Sequence, residues 1–129
     1  MKPGLVVGLE RETQFIVTED MCPAFDGVVV HRVCATWTVV QYMEIAGRLV
    51  LAGFLEAHEE GVGTHVSCDH HAPAPVGSMV RVVAKASSVS VRELVCETRA
   101  FVGDRLIATG RTDQKTMPRT VLQRLLGEQ

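Results

Sequence analysis

The sequence predicts an α+β fold: an antiparallel sheet wrapped around one long central helix. Three observations lead there. Residues 36–59, "TWTVVQYMEIAGRLVLAGFLEAHE", form one long apolar stretch with helical periodicity. Four strand candidates then follow one another consecutively, the pattern of an antiparallel sheet. The helix is also apolar on several sides, so it has to be wrapped and not merely laid on a surface.

The elements can be taken in chain order. "RETQFIVT", residues 11–18, alternates enough for a strand. "MCPAFDG" breaks it with Pro23 and Gly27. In the helix that follows, Val40, Met43, Gly47, Val50, Leu51 and Phe54 share one face at about 100° per residue. Tyr42, Ile45 and Leu49 lie opposite, and the polar stripe of Gln41, Glu44 and Arg48 is thin. "GVG" at 61–63 is expected to end the helix, as glycine commonly does. Strands are predicted over 64–72, 79–91, 93–102 and 105–116, with Gly103-Asp104 as a hairpin turn. Pro118 then starts a short amphipathic helix, "RTVLQRLL". No repeat or linker interrupts this order, so residues 1–129 are expected to form one domain. A half-barrel of this kind leaves sheet edges and apolar surface. Both predict a homodimer, with a tetramer left open.

Composition narrows the function. The chain has 129 residues, enough for one real core, and 47% are apolar while only 5% are aromatic, so Val, Ala and Leu must build that core. Residues 1–80 carry four Lys or Arg against ten Asp or Glu, a net of −6; residues 81–129 carry nine against five, a net of +4. The basic half has no Lys/Arg run and almost no interleaved aromatics, which argues against nucleic acid as a partner. No apolar run suits a membrane span, and "MKPGLVVGLERETQ" lacks the apolar segment of a signal peptide, so a cytoplasmic location is expected. Cys22, Cys34, Cys68 and Cys96 show no C-x-x-C spacing and sit among apolar neighbours, which favours reduced thiols.

The densest chemistry is "CDHHAPAPVG", residues 68–77. Alternate strand residues face opposite ways. Val66, Cys68 and His70 therefore share the face with apolar company, and His65, Ser67, Asp69 and His71 share the other. His70 points inward and His71 outward. His65, Cys68, His70 and His71 are zinc-compatible residue types, but parity splits them across two faces. No native metal is expected.

The segments "ATWTVVQYMEIAG", "GVGTHVSCDHHAPAPVG" and "LIATGRTDQKT" together resemble the small hot dog-fold acyl-CoA thioesterases typified by fluoroacetyl-CoA thioesterase. In that family a Thr starts the helix, a Glu follows eight residues later in a Met-Glu pair, and a His lies in a T-H-x-A-x-x-P-x-G string. Thr36, Met43-Glu44 and "DHHAPAPVG" match those positions, with Asp69 replacing the family's Thr, and Gly63 lies seven residues before His70. The resemblance spans residues 34–116. It implies hydrolysis of a small or medium acyl-CoA thioester, with coenzyme A entering only as part of the substrate and no separate cofactor. It implies Glu44 as base or nucleophile, His70 as its acid–base partner, Thr36 as a positioning hydroxyl and Gly63 as an oxyanion donor; His71, from its outward parity, is expected near the surface by the CoA phosphates. The segment before the helix, "MCPAFDGVVVHRV", lacks that enzyme's aromatic-rich lid, so the resemblance says little about fluorinated substrates. A non-catalytic acyl-CoA-binding protein and an enoyl-CoA hydratase-like enzyme are the alternatives on the same fold.

Each residue also has a plain structural reading. Thr36 can be an N-cap, Glu44 can pair with Arg48 at i,i+4, and Gly63 can simply end a helix. On one ideal helix Thr36 and Glu44 stand about 12 Å apart. A shared site then needs an irregular first turn, a contribution across a dimer, or a substrate that spans the gap.

Overall fold

The computed structural model describes residues 1–127. Strands β1 (Glu10–Ile16), β2 (Ala24–Phe25) and β3 (Val28–Val29) precede the helix α1 (Thr36–Ala52). Strands β4 (Glu59–His70), β5 (Met79–Val89), β6 (Glu93–Val102) and β7 (Arg105–Pro118) follow, then the short helix α2 (Arg119–Leu125). Five strands form one antiparallel sheet in the order β1-β5-β6-β7-β4, while β2 and β3 pair only with each other. Helix α1 touches every strand of the large sheet. This is the sheet-wrapped helix expected from the sequence.

Alternation builds the core. Val80, Val82, Ala84 and Ala86 on β5, with Leu94, Cys96 and Ala100 on β6, point at α1 and are fully buried. Val39, Met43, Ala46, Val50 and Leu51 of α1 meet them, also fully buried. These side chains are small, so helix and sheet approach closely. A Cβ on Gly47 would stand 2.6 Å from Thr112 Oγ1, and a Cβ on Gly110 would overlap the backbone carbonyl of Ser67. The helix-facing side of β7 is polar: Thr112, Gln114 and Thr116 are buried there, and Gln114 Nε2 donates to the carbonyl of Gly47 at 2.9 Å.

Several boundaries differ from expectation. Helix α1 stops at Ala52, not near Glu59, and Gly53 caps it through its backbone N–H to the Leu51 carbonyl. The chain must turn there because residues 59–70 belong to the sheet, paired with β7 from Glu59↔Pro118 to His70↔Ala108. The "GVG" glycines therefore lie inside β4. Gly61 is small because the strand passes close to the helix: a Cβ there would meet Leu51 Cδ2 at 2.6 Å and Arg48 Nη1 at 2.7 Å. Phe54 lies beyond the helix but still packs on the core. Tyr42 does not face outward; it stacks on Phe15 of β1, ring centroids 3.9 Å apart. Ile45 and Leu49 are exposed, as the apolar back of the helix predicts. The four cysteines are free thiols, and burial pushes those of Cys34 and Cys96 up to about 11.

Candidate active site

Backbone pairing brings the start of α1 to the end of β4. Strand β4 ends at His70, beside a bulge of β7 against β6: Ala100 pairs with Ala108 but Phe101 with Leu106, which leaves Ile107 between. The carbonyl of Ile107 accepts both the His71 N–H at 2.7 Å and the Ala72 N–H at 3.1 Å. Pro73 and Pro75, which have no N–H to donate to a ladder, follow as the chain leaves the strand. The returning segment runs beside the residues that precede α1. Val33 bridges Pro75, and the Cys34 N–H donates to the Ala74 carbonyl at 2.8 Å. The Arg105 guanidinium fastens this turn through the Pro73 carbonyl at 2.9 Å.

Thr36 and His70 meet as a result. Thr36 Oγ1 lies 2.9 Å from His70 Nδ1. The cap position of α1 is Ala35, and no side chain caps the helix, so the Thr36 hydroxyl serves the histidine and not the helix end. His70 Nε2 is buried and has no hydrogen-bond partner among the described residues. Pairing is regular from His65 to His70, so the expected parity holds to the strand end. His71 faces the other way, exposed, with Nε2 3.0 Å from Thr109 Oγ1. All three residues line one cavity of about 440 Å³, together with Pro23, Phe25, His31, Val33, Cys34, Ala35, Trp37, Ala72 and Pro73.

Glu44 and Gly63 line a different, smaller cavity of about 150 Å³ with Arg48, Gly61, His65, Thr112, Asp113 and Gln114. Glu44 is exposed, because it projects from the helix flank beside the edge strand. It forms no ion pair with Arg48, whose guanidinium reaches the Gly61 carbonyl at 3.3 Å. A Cβ on Gly63 would stand 3.5 Å from Glu44 Oε1, so strand and carboxylate face each other here. At the rim, Arg111 holds Asp113 with two bonds of 2.7 and 2.9 Å and keeps its carboxyl below the usual range, with His65 lowering it further. Helix α1 is helical from Thr36 onward, which removes an irregular first turn as a way of joining the two cavities.

Within one chain, then, the geometry pairs Thr36 with His70 and Glu44 with Gly63, and it keeps the pairs apart. A hydroxyl-anchored imidazole and an accessible carboxylate can together serve acyl-transfer chemistry. Sequence reasoning missed Phe25, His31 and Trp37 as cavity walls. It also missed Thr112 and Gln114, although alternation in "GRTDQKT" puts Thr, Gln and Thr on one face. Among the described residues, no group of three or more His, Cys, Asp or Glu side chains is arranged to hold a metal ion. No helix among them is long and apolar enough to cross a membrane.

The family model of the fluoroacetyl-CoA-specific thioesterases, FlK, matches residues 17–120. The chain belongs to this family. Solved structures agree with the assignment of this FlK-family thioesterase. A thioesterase superfamily member from Thermus thermophilus is 34% identical, with a TM-score of 0.91 over 96% of this chain and 92% of that one. The fluoroacetyl-CoA thioesterase FlK is 26% identical, with a TM-score of 0.86 over 95% and 96%. A hot-dog-like protein from Thermanaerovibrio acidaminovorans, 18% identical with a TM-score of 0.86 over 97% and 90%, shares the fold. Comparison with curated proteins finds no match. The FlK-family chain is thus an acyl-CoA thioesterase with the hot dog fold.

Proposed function

We propose that the protein hydrolyses a small or medium acyl-CoA thioester as a homodimer, at sites shared between two copies. The observation that carries this reading is the Thr36–His70 contact of 2.9 Å inside the larger cavity, with Glu44 facing Gly63 further back along β4. Strand β4 is an edge of the sheet, twelve residues long, and an edge of that length favours pairing with another chain. If two copies of β4 pair antiparallel about a two-fold axis near Val66 and Ser67, His70 of one comes beside the Gly63–Thr64 irregularity of the partner strand. Glu44 of the partner subunit then faces His70, and the two cavities become one site.

The chemistry follows from that arrangement. With the proton on Nδ1, His70 donates to the Thr36 hydroxyl and presents a free Nε2 lone pair; the other tautomer reverses the roles. His70 then moves protons to and from the thioester while Thr36 fixes the ring. The Glu44 carboxylate acts as base on a water or as nucleophile on the thioester carbonyl, and the thiol of CoA leaves with a proton. The glycine amide at Gly63 donates to the oxygen that gains charge. His71, exposed beside Thr109, is the residue we assign to contact with the CoA phosphates. No cofactor is needed beyond the CoA of the substrate.

Co-expressed mixed dimers test the reading. Glu44→Gln and His70→Ala homodimers should each be nearly inactive. A shared site predicts that each mixed dimer regains one complete site, giving about a quarter of wild-type turnover for a statistical mixture of dimers. Absence of rescue would place all four residues in one subunit or remove them from catalysis.

A further inference from the structure

Trp37 directly follows Thr36 and is the single tryptophan of the chain. Its indole is 52% exposed, although it lines the larger cavity. Phe25, 60% exposed, meets it edge to face, ring centroids 5.8 Å apart and planes at 88°. Phe25 belongs to the β2–β3 hairpin, whose turn residues Asp26 and Gly27 both have positive φ, 52° and 78°, the Asp-Gly pattern of a tight two-residue turn. This hairpin does not join the large sheet, and such a hairpin is marginal by itself. The Val30 N–H closes its base on the Pro23 carbonyl at 2.9 Å, and Phe25 sets its tip against α1. An aromatic pair therefore lies across the cavity that contains the Thr36–His70 contact.

The rest of that cavity is mostly apolar, with the imidazoles of His31, His70 and His71 and the Thr36 hydroxyl as its polar side chains. Its lining holds no Asp, Glu, Lys or Arg, so a dicarboxylic or cationic acyl group would find no fixed counter-charge. Its volume of about 440 Å³ falls in the range of cavities that hold whole small ligands, about 300–1,000 Å³, which leaves room for a ring beside the thioester. Exposed rings at the mouth of an apolar cavity offer edges and faces to a third ring.

We propose that Trp37 and Phe25 determine acyl specificity, and that the preferred acyl group is an uncharged aryl or arylalkanoyl group whose ring packs against this pair. The inference rests on the thioesterase reading above and deepens it. Loss of either ring should lower kcat/KM for an aryl thioester by about tenfold or more, and for acetyl-CoA by much less.

Trp37 supplies a readout independent of turnover, because all indole emission comes from it. Phenacyl-CoA, in which a methylene separates sulfur from carbonyl, cannot be hydrolysed as a thioester. It should shift or quench Trp37 emission at concentrations where CoA and acetonyl-CoA do not, and Phe25→Ala should weaken that response about tenfold. In parallel, kcat/KM for phenylacetyl-CoA should exceed that for acetyl-CoA and succinyl-CoA, and Trp37→Ala should lower the phenylacetyl-to-acetyl ratio while Trp37→Phe preserves it. Preference for acetyl-CoA or succinyl-CoA, equal losses on all substrates, or a change of oligomeric state in Trp37→Ala would overturn the proposal. A phenacyl-CoA response without hydrolysis of any acyl-CoA would uphold the recognition and sink the thioesterase reading. Hydrolysis without that response would do the reverse.

Discussion

Replacing Thr36 by valine removes the hydroxyl that holds His70 and keeps nearly the same shape. No cap is lost, because Ala35 occupies the cap position and no side chain bonds to the helix end. What disappears is the 2.9 Å contact to Nδ1, the only hydrogen bond of the imidazole among the described residues, since Nε2 has none. A hydrogen bond is worth about 0.5–1.5 kcal/mol net, and a buried group left unsatisfied costs about 1–3 kcal/mol. Thr36 is exposed, so a loss of about 1–2 kcal/mol is expected. If that loss falls on the orientation of the ring in the transition state, kcat drops by about 5- to 30-fold. It should appear in kcat more than in KM, and Thr36→Ser should restore it. Free-thiol release from acyl-CoA measures the rate, and ¹⁵N spectra of the imidazole report whether the tautomer balance shifts. A loss beyond about a thousandfold would mark Thr36 as a participant in bond making, not a positioning group. Unchanged kcat alongside a dead His70→Ala would show that the hydroxyl does nothing for the ring.

Three further predictions concern stability. Gly110→Ala should destabilise by about 1–3 kcal/mol or more, because its methyl meets a backbone carbonyl that cannot yield without opening the β4–β7 ladder. Gly53→Ala, with helical φ and open space around it, should gain about 0.4–1 kcal/mol; urea denaturation of both would expose a reversal of this order. Asp113 has a carboxyl pKa lowered from 3.8 by Arg111, so its stabilising contribution is fully present above that value and fades as pH falls through the lower folded-state pKa. Asp113→Asn should therefore be less stable than wild type at neutral pH and equal to it in strong acid, and a constant difference in acid titrations would contradict the assignment.

Periodicity made the architecture legible. Alternation in β5 to β7 and one apolar helix were enough for the sheet-wrapped helix, and parity gave the direction of His70 correctly. The helix end was not legible, because "GFLEAHEE" keeps helical propensity while the pairing of Glu59 to Gly63 with β7 overrides it. Gly61 looked like a stop signal for the same reason: a glycine needed for close passage and a glycine needed for a turn are the same letter. The cavity walls were hidden more deeply. Phe25 and Trp37 are twelve residues apart, and only the fold of the hairpin makes them neighbours. The separation of Glu44 from Thr36 could be computed from helical rise alone, whereas which cavity each would line depended on where β4 runs.

The Ile107 bulge ties the imidazole to a register far away in the chain. A single carbonyl, taking two amides, decides where β4 stops, and 36 residues separate it from His71. Such a junction cannot exist in a partly folded chain that has formed only its local hairpins, for the last strand must already be zipped onto its neighbours on both sides. The Thr36–His70 geometry therefore rests on contacts of high sequence separation and not on the loop that carries it. A chain that had lost β7 would lack both the Ile107 carbonyl and the ladder partner of His70, and with them the register that sets this histidine against Thr36.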